Sequence, residues 1–70
     1  MNFQTMDYFV AVAEEKSFTK AAERLSVTQQ TLSANIAAAE KELGSKLLER
    51  TVPLSLTFAG EEFLRYARRF

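Results

Sequence analysis

The sequence predicts a mainly α fold, a winged helix-turn-helix with a three-helix core, a two-stranded β wing and a carboxy-terminal linker helix. Apolar residues recur every three or four positions in four segments, which is the spacing of one helix face. A turn of about three residues separates the second segment from the third, as in a helix-turn-helix. After the third segment, apolar and polar residues alternate, which predicts a β-hairpin in the position of a wing.

The first two helices are predicted to be scaffold. Residues 3–15 form the first helix, with Asn2 as its N-cap, and Ser17 caps a shorter second helix. The apolar residues of each helix share a face that we expect to be core: Phe3, Met6, Phe9, Val10 and Ala13 in the first, and Phe18, Ala21, Ala22 and Leu25 in the second.

The third helix is predicted over about residues 28–43, and the rest of the chain is organised around it. Thr28 is placed to cap its start, and Gly44 follows its end, where a left-handed residue is favoured. No charge lies within residues 26–39. The buried line is expected to run through Leu32, Ile36, Ala39 and Leu43, which leaves an uncharged polar start facing outward.

The wing is predicted between the third and the last helix. Val52-Pro53 forms the turn, since proline has a fixed φ and lacks the N–H that a strand ladder needs. Two alternating runs flank the turn: Leu47, Glu49 and Thr51 opposite Leu48 and Arg50, and then Leu54 and Leu56 alternating with Ser55 and Thr57.

The last helix is predicted to begin after Thr57 and to carry an apolar stripe through Ala59, Phe63, Tyr66, Ala67 and Phe70. The chain ends within this stripe, so we expect a second copy or a further domain to cover it. Dimerisation is therefore predicted through Phe63, Tyr66, Ala67 and Phe70. The alternative is that Phe63 and Leu64 close the core against the first helix.

Composition limits the possible functions. Cys and His are both absent, which excludes disulfides and the usual zinc sites and disfavours acid–base catalysis, so no enzyme activity and no cofactor are expected. The amino terminus resembles neither a signal peptide nor a membrane span, so we expect a cytoplasmic protein. Nine basic and nine acidic residues cancel, which argues against strong non-specific binding to a polyanion.

Several motifs along the chain resemble the amino-terminal winged helix-turn-helix of the LysR-type transcriptional regulators. The matching residues are Phe9 to Glu14, Ser17 to Ala22, Leu25, Thr28-Gln29, Leu32-Ser33, Glu42 to Gly44, Leu47, Glu49 to Thr51 and Leu56 to Gly60. The resemblance implies a DNA-binding domain over residues 1–57 and the start of a linker helix that pairs two subunits over residues 58–70. It also implies that the family's effector-binding domain, through which a small molecule would act, is absent from this chain.

Base recognition is predicted at the start of the third helix, by Gln29, Gln30, Thr31, Ser33 and Ala34. A glutamine amide matches N6 and N7 of adenine, and an alanine methyl can contact the thymine methyl, so we expect A·T-rich half-sites in double-stranded DNA. The alternatives are that the glutamines are a solvated helix start and that Ala34, Ala37 and Ala38 only favour helix formation.

Contacts to the DNA backbone are predicted for Arg50, Lys46, Lys20 and Thr28. Arg50 occupies the family position that holds a phosphate; the alternative is a surface pair with Glu49 or Glu42. The family commonly has proline at the position of Gln30, a base at that of Ala34 and a basic wing tip. Binding is therefore expected to be weak and less steeply salt-dependent than in most members. The rival hypothesis is a winged-helix module that binds another protein.

Overall fold

A computed structural model describes residues 2–69 and has the predicted mainly α, winged helix-turn-helix architecture. The two strands pair antiparallel, with Leu48 opposite Leu56 and Glu49 opposite Ser55. The elements in chain order are α1 (Phe3–Glu15), α2 (Phe18–Leu25), α3 (Gln29–Leu43), β1 (Leu48–Glu49), β2 (Ser55–Leu56) and α4 (Phe58–Ala67). Among residues 2–69, no helix has both the length and the apolar character needed to cross a bilayer.

The predicted caps define where the helices begin. Asn2, Ser17, Thr28 and Thr57 each accept a hydrogen bond from the backbone N–H three residues further on, as N-caps do. Gly44 ends α3 with a φ of 72°, in the left-handed region that glycine adopts without steric cost. The first two helices also end in left-handed residues, Lys16 and Ser26, which the sequence did not indicate.

The core lies between α1, α2, α3, the wing and α4. Its largest fully buried side chains are Phe9, Val12, Leu32, Ile36, Leu47 and Leu48. Ala21 and Ala22 are buried on α2, and their small side chains allow neighbouring helices to approach closely. The ring of Phe63 on α4 meets that of Phe9 edge-on, with centroids 5.1 Å apart. This contact joins the last helix to the core of the domain.

The buried face of α1 differs from the predicted one. Phe3 is 65% exposed, and the buried residues of this helix are Thr5, Tyr8, Phe9, Ala11 and Val12. The prediction is confirmed for Phe9, and Met6 and Ala13 are partly buried against the core. It was wrong for Phe3, because α1 has apolar residues on most of its circumference. Periodicity alone therefore does not single out the side that the other helices cover.

Two further expectations for α3 and the wing are corrected. Leu43, at the end of the buried line, is 43% exposed, whereas Leu32, Ile36 and Ala39 are buried as predicted. The two alternating runs, predicted over 47–51 and 54–57, shorten to two paired residues each, and Leu47 lies just outside β1 and is buried like Leu48. Alternation requires extended backbone, and each paired strand is only two residues long.

Residues 46–48, which lead into β1, join α3, the wing and α4. The Glu40 carboxylate accepts hydrogen bonds from the N–H groups of Leu47 and Leu48, at 2.8 and 3.3 Å. On the other side, the Leu47 carbonyl accepts from the N–H of Thr57 at 3.1 Å. Gly60 lies directly against that carbonyl, and any Cβ there would overlap it. These contacts set the position of the wing relative to α3.

Candidate nucleic-acid interface

The start of α3 is exposed, as the prediction of a recognition surface requires. Gln29, Gln30, Thr31 and Ala34 are exposed, and Ser33 is half-buried. A shallow concave surface is lined by Gln29, Gln30, Ser33, Ala34 and Ala37. Four of the five residues predicted to contact bases therefore lie together on one surface, and Thr31 lies on the flank beside it.

The first turn of α3 is held by Thr28. Its Oγ1 accepts a hydrogen bond from the Thr31 N–H at 3.1 Å and donates one to Thr31 Oγ1 at 3.0 Å. Capping therefore accounts for Thr28 without a phosphate contact, although its side chain remains exposed. These bonds stabilise the turn that presents the two glutamines.

Arg50 lies beside this surface, although it follows β1 in the chain. Its Nη1 donates a hydrogen bond to Ser33 Oγ at 2.9 Å. Its guanidinium carbon lies 4.5 Å from the centre of the Phe18 ring, which is the geometry of a cation–π contact. Arg50 thus supplies a positive charge next to a helix start that has none of its own.

The two lysines predicted to contact the DNA backbone lie on different elements. Lys20 is exposed on α2, and Lys46 is exposed between α3 and β1. The Lys46 backbone carbonyl accepts a hydrogen bond from Thr57 Oγ1 at 2.6 Å, which ties this loop to the start of α4.

The residues predicted for dimerisation have different environments. Phe63 and Ala67 are only 8% and 7% exposed, so the core already covers them, as the alternative held for Phe63. Tyr66 is 50% exposed, and Phe70 lies outside the described residues. Tyr66 lines a groove with Asn2, Phe3 and Met6. The surface left for a partner is therefore narrower than the predicted stripe.

Sequence reasoning missed the roles of Phe18 and Glu40. Phe18 was assigned to the core from its helical spacing; it is partly buried against the core, and its ring also contacts the guanidinium of Arg50. Glu40 is an ordinary acidic residue in the sequence, and its two backbone partners become visible only in the folded chain. A lone glutamate near the end of a helix offers no signal for such a bond.

A family model described as "Bacterial regulatory helix-turn-helix protein, lysR family" matches residues 3–61, which is most of the chain. The chain belongs to the LysR family. The LysR-family relative AlsR of Bacillus subtilis, named as a transcriptional regulator, is 49% identical over 69 residues. The regulator BenM of Acinetobacter baylyi is 48% identical over 68 residues. These alignments cover 97% and 96% of this chain but only 23% and 22% of the two relatives.

Solved LysR-family structures have the same fold. The BenM DNA-binding domain in complex with catB site 1 DNA superposes with a TM-score of 0.95 and 47% identity. That alignment covers 99% of this chain and 79% of the BenM chain. The chain is thus the helix-turn-helix domain type found in transcriptional regulators, and its relatives are regulators, not enzymes.

Proposed function

We propose that this LysR-family domain binds double-stranded DNA in a sequence-specific manner to regulate transcription, with α3 in the major groove. The observation that carries the proposal is the exposed polar start of α3 beside the guanidinium of Arg50. A major groove about 12 Å wide admits one α-helix, and side chains near the start of such a helix reach base edges. The complex of the similar BenM DNA-binding domain with DNA supports the part of the proposal that concerns DNA binding.

Base recognition is assigned to Gln29, Gln30, Thr31, Ser33 and Ala34, whose positions favour A·T-rich half-sites. Each glutamine amide offers a donor and an acceptor, which is the pair that adenine presents in the major groove. Ala34 exposes a methyl group on the same concave surface, where a thymine methyl would be its natural contact. Guanine presents two acceptors in the major groove, and Arg or Lys most often donates to them. Residues 26–39 contain neither, which disfavours the reading of G·C pairs by α3.

Contacts to the sugar-phosphate backbone are assigned to Arg50, Lys20, Lys46 and Thr28, with the wing on the flanking backbone or minor groove. Arg50 has five N–H donors in a planar fork, of which the structure uses one for Ser33. Only three basic side chains are assigned to phosphates and none lies within residues 26–39, so few counterions would be released on binding. We therefore expect modest affinity and a shallow dependence on salt.

The domain is proposed to act as a homodimer inside a longer regulator. Residues 1–57 would bind DNA, and the helix that begins at Phe58 would pair two copies. Tyr66 and the adjoining groove with Phe3 and Met6 are the exposed apolar surface that supports such pairing. The chain spans less than a quarter of the two relatives, so in this proposal a small-molecule effector binds another part of the regulator. The whole regulator is proposed to be cytoplasmic.

Titration with a pool of random duplexes at two salt concentrations tests the proposal. We expect recovery of A·T-rich half-sites and weaker binding at the higher salt concentration, because phosphate contacts release counterions. Replacing Arg50 by Gln should reduce the slope of log K against log salt by about 1. Binding that is indifferent to salt, or the recovery of G·C-rich sites, would contradict the corresponding part of the proposal.

A further inference from the structure

We infer that Phe18 is a positioning residue for DNA binding, because its ring holds the Arg50 guanidinium against the recognition surface of α3. The inference rests on the proposed function and adds a residue that does not itself touch DNA. It starts from one arrangement: the Phe18 ring on α2, the Arg50 guanidinium above it at 4.5 Å, and Ser33 on α3 at 2.9 Å.

The arrangement joins three elements that are separate in the sequence. Phe18 is the first residue of α2, Ser33 lies in the second turn of α3, and Arg50 follows β1. A free arginine side chain has many rotamers, and restricting it to one costs conformational entropy. The Phe18 ring and the Ser33 hydroxyl restrict the Arg50 side chain in the free domain, so less entropy is lost when DNA binds.

The position of the guanidinium is suited to DNA. Ser33 belongs to the concave surface with Gln29, Gln30 and Ala34, so a group bonded to its hydroxyl lies at the rim of that surface. One of the five N–H donors of Arg50 contacts Ser33, which leaves the others for phosphate oxygens or base edges. A lysine at residue 50 has no planar fork to stack on the ring, so it would be a poor substitute.

The first arm of the test needs no DNA. An aromatic ring shifts the NMR signals of protons that lie over its face, so the Arg50 side-chain protons should be displaced upfield in the wild-type domain. Phe18→Leu keeps an apolar side chain for the core but removes the ring, and we expect the displacement to disappear. Phe18→Tyr keeps the ring and should preserve it. An unchanged Arg50 spectrum in Phe18→Leu would overturn the inference.

The second arm measures binding to an alternating A·T duplex and a G·C duplex of equal length. Because an exposed cation–π contact is worth about 0.5 to 1 kcal/mol, Phe18→Leu should weaken binding about two- to five-fold, and Phe18→Tyr should not. In an Arg50→Gln background, Phe18→Leu should change the affinity no further. Circular dichroism and urea unfolding of each variant show that it is folded at the temperature of the titration.

The outcomes separate the inference from the proposed function. Equal losses from Phe18→Leu with and without Arg50 would mean that Phe18 acts through packing alone, and would overturn the inference. Tighter binding by Phe18→Leu would mean that the ring holds Arg50 away from DNA, and would also overturn it. If the wild-type domain bound neither duplex, the proposed function would fail, while the NMR arm would still decide whether Phe18 positions Arg50.

Discussion

The two glutamines at the start of α3 illustrate what a single residue can contribute to DNA recognition by a chain with no net charge. Both are exposed, and both lie in the first turn of α3, which the Thr28 cap holds. An amide carries no charge to attract DNA from a distance, but it can satisfy adenine's donor and acceptor together. Specificity is thus expected from these residues and attraction from Arg50.

Replacing Gln30 by Ala should flatten the preference for one base pair of the half-site. A good bidentate contact discriminates against the wrong base by about 1 to 3 kcal/mol, which corresponds to about five- to 150-fold in relative affinity. The measurement is competition between the preferred duplex and duplexes changed at one position each. Gln4→Ala, at an exposed glutamine of α1, is the matched control and should leave all preferences unchanged.

Within the elements, the least predictable part of the fold is the short segment of residues 46–48. The Glu40 carboxylate accepts hydrogen bonds from two N–H groups of this segment, and Thr57 donates to two of its carbonyls. Gly60 has no Cβ, so α4 can lie directly against the segment. The wing has only two residues in each strand, so its own ladder holds it weakly. Its orientation relative to α3 must therefore come largely from these side-chain and packing contacts.

Glu40→Ala should destabilise the domain by about 1 to 3 kcal/mol, because it leaves the N–H groups of two buried leucines without their acceptor. Glu40→Gln retains an acceptor oxygen and should cost less. Urea unfolding followed by circular dichroism measures both values. Glu23→Ala, at an exposed glutamate of α2, is the control and should change stability by no more than about 0.5 kcal/mol. Equal losses in the two alanine variants would show that the Glu40 bonds contribute nothing.

The two glycines are expected to respond differently to alanine. At Gly60 the new methyl would overlap the Leu47 carbonyl, so α4 and the wing must separate, at a cost of about 1 to 3 kcal/mol or more. At Gly44 there is open space, and only the left-handed φ of 72° opposes the change, at about 1 kcal/mol. Thermal unfolding of both variants compares them. A larger loss for Gly44→Ala would contradict this account of the junction.

The starts of the helices could be predicted from the sequence because each depends on neighbouring residues. Asn2, Ser17, Thr28 and Thr57 cap helices by bonding groups three positions away. The buried face of α1 could not be predicted in full, because it depends on which sides α2, α3 and α4 cover. The site likewise has a part that depends on neighbouring residues and a part that depends on distant ones. The spacing of apolar residues within α3 predicted its exposed start. The contact of Arg50 with Phe18 joins residues far apart in the chain and has no local signature.

At the scale of the whole domain, a group of exposed charges joins α1, α2 and the end of α4. Glu14 accepts from Arg24 at 2.9 Å and from Arg68 at 3.4 Å, and Arg24 also bonds Glu15 at 3.2 Å. The hydrogen bond from Arg24 is the largest cause that lowers the pKa of Glu14, and that from Arg68 adds to it. The hydrogen bonds of Arg24 to Glu14 and then to Glu15 are the largest causes that raise the pKa of Arg24.

Acid should therefore weaken the domain partly through Glu14. Because the pKa of Glu14 is lower in the folded chain, its stabilising contribution is complete above the ordinary value and is lost as pH falls through the folded value. Comparing unfolding at neutral pH and about one unit below the usual glutamate value of about 4.3 should show a smaller acid effect in Glu14→Gln than in wild type. Arg24→Gln should reduce the acid effect similarly. Equal acid effects in all three proteins would contradict this assignment.

The size of the domain makes a partner necessary for a two-part operator. Its longest extent is 26 Å, whereas half-sites read from the same side of DNA lie about 34 to 36 Å apart. One copy therefore cannot place a helix in both grooves. The exposed rings of Phe3 and Tyr66, at 65% and 50%, border the groove between α1 and α4 and offer the surface for a second copy.

Tyr66→Ser should weaken this pairing about tenfold or more, since an aromatic residue at the centre of a small interface often accounts for over 1 kcal/mol. Sedimentation equilibrium over a range of concentrations measures the dissociation constant in the absence of DNA. Val52→Ser is the matched control, because it removes a fully exposed apolar side chain from the wing, away from α4, and should leave pairing unchanged. A wild-type domain that stayed monomeric at the highest concentration would contradict pairing through this surface.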